Sequence, residues 1–135
     1  MPHAEDNTSK NTLQKRDKLK SSLEIEAIYR ENKFVVAYPV KCYYSFSEIM
    51  ENKSAIKVAF AVPKKIFKHA VHRNILKRRM HEAYRLNYKK IFETFIKKND
   101  KQLRLFILYI GKDILDYGSI EKKCRDMMHS VSTKL

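Results

Sequence analysis

Residues 64–90 hold ten Lys and Arg but a single carboxylate, Glu82. The whole chain of 135 residues has 29 Lys and Arg against 15 Asp and Glu, so about two-thirds of its net charge of +14 falls in this one-fifth of its length. Like charges packed so densely repel one another and cost folding stability, unless they meet a polyanion and release its counterions. A phosphate backbone is the ligand this chemistry suits. At about 100° per residue of helix, Arg73, Asn74, Lys77, Arg78, His81 and Arg85 fall within an arc of about 140°. Lys64, Lys65 and Lys68 precede that arc, and Arg79 lies on the same helix. Asn74 is a poor residue for a helix interior, so a polar contact is the better reason for its presence.

Other chemistries fit these residues less well. A protein nuclease needs clustered carboxylates to hold a divalent metal, or a His pair placed for acid–base work. The acids are scattered, and residues 57–81 contain none. His69, His72 and His81 are close in sequence, but their surroundings are cationic and no thiol or carboxylate completes a tetrahedron. No catalytic residue and no metal ligand is therefore assigned. Cys42 and Cys124 have no Cys-x-x-Cys spacing and sit in apolar patterns, so both read as small core residues.

The elements that must carry the basic face can be read from periodicity. Ser21 to Glu24 form a Ser-x-x-Glu capping box, with Leu23, Ala27 and Ile28 at helical spacing, predicting a first helix over residues 22–32. Residues 34–46 are β-branched or aromatic, and Val40, Cys42, Tyr44 and Phe46 alternate with Lys41, Tyr43 and Ser45. That pattern predicts one buried and one more polar face. Residues 48–54 form a polar turn. Ile56, Val58, Phe60 and Val62 then alternate with Lys57, Ala59 and Ala61 as a further strand ended by Pro63, and the small residues on its second face leave room for something to approach. The basic helix is expected over residues 70–97, with Leu76, Met80, Ala83 and Asn87 on one side and Ile91, Phe92, Phe95 and Ile96 docking its C-terminal half. A turn at residues 99–101 leads into an interior strand over residues 103–110. Asp116 or Ser119 caps a last helix whose apolar stripe is Ile120, Cys124, Met127, Met128 and Val131.

Helix, two or three strands, helix, strand, helix is the order of a small α+β sandwich. One domain is expected over residues 16–135, behind a polar, mobile tail at residues 1–15. No apolar run approaches the roughly 20 residues of a membrane span, and the tail lacks the apolar run of a signal peptide. The expected location is the cytoplasm.

Pro63-Lys64-Lys65, Ala70-Val71-x-Arg73-Asn74-x-x-Lys77-Arg78 and Glu82-Ala83-Tyr84-Arg85 together resemble the signature of the bacterial ribonuclease P protein subunit. The resemblance spans roughly residues 14–133, by motif and by element order. It implies a two-layer αβββαβα sandwich whose four-stranded sheet has an unusual left-handed crossover around the basic helix, against the usual handedness of parallel connections. It further implies the small subunit of an endoribonuclease that cuts the 5′ leader from precursor tRNA. In that enzyme the RNA subunit holds the Mg²⁺ ions and carries catalysis, and the protein alone is inactive.

The implied partners are the catalytic RNA and precursor tRNA, with neither DNA nor membrane. By motif match Lys64, Lys65, Arg73, Asn74, Lys77 and Arg78 take the RNA-contact role, and Lys68, Arg79, His81 and Arg85 complete the set. Ile75 and His81 stand where the family often has Arg. For a cleft that binds the single-stranded leader, the resemblance points to Ile25, Tyr29 and Tyr43, with Arg73 and Asn74 where helix meets cleft. A tyrosine ring can stack on a base, whereas Ile25 offers apolar contact only. From sequence alone Tyr29 and Tyr43 read equally well as tyrosines at the rim of the core. The rival function is a general or ribosomal RNA-binding protein with no nuclease role.

Overall fold

The computed structural model describes residues 13–19, 21–48 and 54–135. The elements are α1 (Ser22–Glu31), β1 (Phe34–Ala37), β2 (Val40–Glu48), β3 (Ile56–Ala61), α2 (Ala70–Ile91), α3 (Glu93–Lys98), β4 (Lys101–Tyr109) and α4 (Tyr117–Ser132). A short 3-10 turn, Lys15–Asp17, precedes them. Ser21 caps α1 as the capping box predicts, its hydroxyl accepting from the Glu24 amide at 3.4 Å. Glu24 does not reach back to the cap. Its carboxylate pairs with Arg104 of β4 at 3.3 Å and ties the start of α1 to the sheet. Asn32 ends α1 in the left-handed region, a conformation that Asn tolerates better than most residues.

The strand order is β1-β2-β4-β3. The expected strand region over residues 34–46 is a hairpin, broken at Tyr38-Pro39, whose peptide bond is cis. β2 runs antiparallel to β4, while β3 runs parallel to β4, so α2 and α3 lie within the connection between two adjacent parallel strands.

The main core lies between one sheet face and the helices α2 and α4. Val40, Cys42, Ile56, Val58, Leu103, Leu105, Ile107 and Tyr109 meet Leu76, Met80 and Ala83 of α2 and the whole predicted stripe of α4. Tyr84 and Tyr88 are also buried and stack at 4.8 Å, which widens the apolar side of α2 beyond the residues picked out by sequence. The helix expected over residues 70–97 is two helices, because the backbone turns at Phe92. This turn leaves both Phe92 and Phe95 buried. Burial pushes the Cys124 thiol up to about 12 and the Cys42 thiol higher still, so both cysteines stay protonated and serve packing.

The second sheet face departs from the alternation. Tyr43 and Ser45, expected on the more polar side of β2, are buried. α1 packs across β2 and β4 there, where Ile28, Leu19 and Tyr43 form a second cluster against Ile25, Ala59, Phe106 and Leu108. The residues before α1 line the outer edge of β3: Lys18 bridges Val58, and the Leu19 amide donates to the Val58 carbonyl at 3.0 Å. Most of the tail expected over residues 1–15 lies outside the described residues, but Leu13 is buried in the main core, so the packed body reaches back at least that far. Among the described residues no helix is long and apolar enough to cross a membrane.

Candidate nucleic-acid interface

The loop from β3 to α2 is pinned by Phe67, buried edge-to-face against Tyr109 at 5.9 Å. Lys64, Lys65 and Lys68 remain exposed around it. Arg73, on the first turn of α2, folds back and donates to the carbonyls of Phe67 and Lys68, each at 2.8 Å. This contact fixes how the lysine-bearing loop meets the helix. Asn74, Lys77 and Arg78 point to solvent, as the helical arc predicts.

The other assigned cations have partners within the protein. Arg79 donates to the Leu115 carbonyl, anchoring the loop that leads into α4. Arg85 forms a two-point pair with Glu82. His81 is half-buried, its ring 5.5 Å from that of Phe60. Burial lowers its pKa, and the nearby charges of Lys18 and Arg85 lower it further, so His81 is neutral at physiological pH. Among the described residues, Lys64, Lys65, Lys68, Lys77 and Arg78 carry no ion pair and make the open cationic end of the molecule.

The residues assigned to the cleft lie on the sheet face that α1 crosses. Tyr29 is 55 % exposed at the C-terminal half of α1, and its ring lies 4.9 Å from that of Tyr43. Tyr43 itself is only 4 % exposed, held between Tyr29, Phe34 at 5.6 Å and Phe106 at 6.1 Å. Of the two rings, Tyr29 is the exposed one and Tyr43 lies buried beneath it. Ile25 is half-buried against the same cluster. The hydrogen bonds of Arg73 run to the loop carbonyls. Sequence reasoning missed Phe34, which faces Tyr43 across the hairpin in register and is 41 % exposed. The signal that could have found it was the Tyr-Pro turn, which converts one apolar run into two paired strands.

A family model for ribonuclease P matches residues 13–131. The chain belongs to the ribonuclease P protein component family. It is 31 % identical to the ribonuclease P protein component of Chlorobium phaeobacteroides over 129 residues, covering 90 % of this chain and 88 % of that one. It is 29 % identical to the component from Porphyromonas gingivalis over 111 residues, covering 82 % of this chain and 79 % of that one. Among solved structures, the Staphylococcus aureus RNase P protein superposes with a TM-score of 0.65 at 15 % identity, over 85 % of this chain and 94 % of that one. This likeness bears out the αβββαβα fold. Family membership makes the chain a component of ribonuclease P, an endoribonuclease active in tRNA processing.

Among the described residues no group of three or more His, Cys, Asp or Glu is placed to hold a metal ion. Glu82 is the one carboxylate between residues 52 and 92, and both of its oxygens are engaged by Arg85. That pairing holds its carboxyl below the usual range.

Proposed function

We propose that the protein binds the catalytic RNA of ribonuclease P through the cationic end formed by Lys64, Lys65, Lys68, Asn74, Lys77 and Arg78, and binds the 5′ leader of precursor tRNA on the sheet face beside α1. The observation that supports this most strongly is the concentration, at the start of α2, of cations with no ion pair among the described residues, in a chain of this family. Phosphate contacts from these side chains supply affinity and register without reading sequence. Arg73, Arg79 and Arg85 act chiefly by positioning: one sets the loop, one the approach to α4, and one pairs with Glu82. His81 adds a neutral edge to that surface. On the leader side, Tyr29 supplies the open ring, Tyr43 and Ile25 support it from below, and Arg73 and Asn74 mark the end of the surface nearest the RNA subunit.

Mg²⁺ and the phosphodiester hydrolysis belong to the RNA in this reading, and the chain supplies binding and orientation. The test is cleavage of a precursor tRNA at low Mg²⁺ by a bacterial catalytic RNA, with and without the protein, beside a protein-only control. Correct 5′ cleavage only when both are present is the expected result. Tight RNA binding without rescue, using the cognate catalytic RNA, would favour the general RNA-binding reading instead.

A further inference from the structure

β1 and β2 present a second group of side chains on the face that α1 crosses. Phe34 and Val36 stand opposite Tyr43 and Lys41 in the hairpin register, and Lys41 stands opposite Leu108 of β4, itself opposite Ala61 of β3. Partners directly opposite share a face, so Val36, Lys41, Leu108 and Ala61 form one row across all four strands. That row ends one residue before Val62 and Pro63, which lead into Lys64 and Lys65. It is only partly covered: Val36 is exposed and the other three are half-buried. The Lys41 ammonium lies 4.0 Å from the centre of the Phe34 ring and 4.8 Å from that of Tyr43.

We infer that Phe34 and Lys41 form a second nucleotide subsite for the single-stranded leader, in which an arriving base takes the ring face that Lys41 covers and the ammonium moves onto the accompanying phosphate. This rests on the leader-binding reading above and extends it along β1. A lysine resting on aromatic rings is held by only a weak cation–π attraction where exposed, so a phosphate can displace it. The vacated ring offers sequence-tolerant stacking. Nucleic acid, rather than another protein at this edge strand, is favoured by charge: Lys41 lies on the Phe34 ring with no ion pair among the described residues, Arg30 and Lys33 adjoin Tyr29 and Phe34 in sequence although each is paired at the surface with Glu26 or Glu31, and Lys64 and Lys65 begin three residues after Ala61.

The test uses the holoenzyme reconstituted with its catalytic RNA, comparing affinity for precursor tRNA and for mature tRNA across a salt series. Phe34→Ala and Phe34→Leu are each expected to weaken precursor binding by roughly 5-fold or more, with mature tRNA unchanged. Phe34→Leu keeps apolar bulk on β1, so it guards against a folding artefact, and melting temperatures are measured for both. Lys41→Gln is expected to lower the salt slope for the precursor by about 0.7. Wild-type behaviour of Phe34→Leu and Lys41→Gln, with Tyr29→Ala still selectively losing the precursor, would overturn the subsite and spare the leader-binding reading. No selective loss in any of the variants would remove both. A change in oligomeric state on replacing Phe34 would assign β1 to a protein interface and also overturn the subsite.

Discussion

Arg85 and Glu82, one turn apart on α2, are joined at two points: Nε to Oε1 at 3.0 Å and Nη2 to Oε2 at 2.8 Å. The pair neutralises a cation that the helical arc assigns to RNA. Lys77, three turns nearer the loop than Lys89 and on the same helix, has no such partner among the described residues. Replacing Lys77 by Ala should reduce the salt slope of binding to the catalytic RNA by about 0.7–0.9, whereas Arg85→Ala should change it by much less. Glu82→Gln should release Arg85 and tighten binding. A salt series on the four proteins checks all three, and equal losses for Lys77 and Arg85 would show that the pair opens in the complex.

Arg73 should matter to folding as well as to RNA. Its two bonds to the loop carbonyls are charge-assisted and partly shielded, so Arg73→Ala is expected to cost about 1 kcal/mol of stability. Denaturant unfolding of the free protein reads this. An unchanged midpoint would mean that the loop is held by Phe67 alone.

Tyr29 and Tyr43 should separate cleanly. Truncating the buried ring in Tyr43→Ala is expected to destabilise the fold by about 3 kcal/mol or more, because it opens a cavity between α1 and the sheet. Tyr29→Ala removes a mostly exposed ring, so it should leave the melting temperature nearly unchanged and weaken precursor tRNA selectively. Tyr29 is therefore the position at which to test leader binding, since any loss at Tyr43 would mix binding with unfolding.

The depressed pKa of His81 gives a signed prediction. Above the ordinary value of 6.5 the ring is neutral in both folded and unfolded chains and contributes no pH dependence. As pH falls through 6.5, the unfolded chain takes up the proton first, so stability declines until the folded pKa is passed. His81→Gln should remove this part of the decline, as read from melting temperatures between about pH 8 and pH 5. Identical pH profiles for the two proteins would show that the ring is solvated.

Truncation should reveal where the body begins. Deleting residues 1–12 should leave the melting temperature unchanged, whereas a deletion that also removes Leu13 should lower it, because Leu13 is buried in the main core. The polar composition of the tail suggests a boundary at residue 15, and the burial of Leu13 makes the two deletions the way to locate it.

Much was legible in the chain itself. The capping box at Ser21, the alternation in β3, the stripe of α4 and the cationic arc at the start of α2 are local patterns, and local patterns survive folding because each repeats with the period of its own element. The motif around Arg73 and Asn74 was enough to point to the family. What only the tertiary structure decided were relations between elements. α1 lies across the second face of β2 and buries Tyr43, and no periodicity within β2 can register a helix that arrives from elsewhere. Arg79 and Arg85 look like Lys77 in sequence, yet one meets a carbonyl of the loop before α4 and the other a carboxylate, because hydrogen-bond partners are set by what the fold brings near. Phe34 joins Tyr43 only once the hairpin turns at Tyr38 and Pro39. Sequence thus fixes which residues carry charge and which form each element's apolar side; packing decides which of them remain open to a partner.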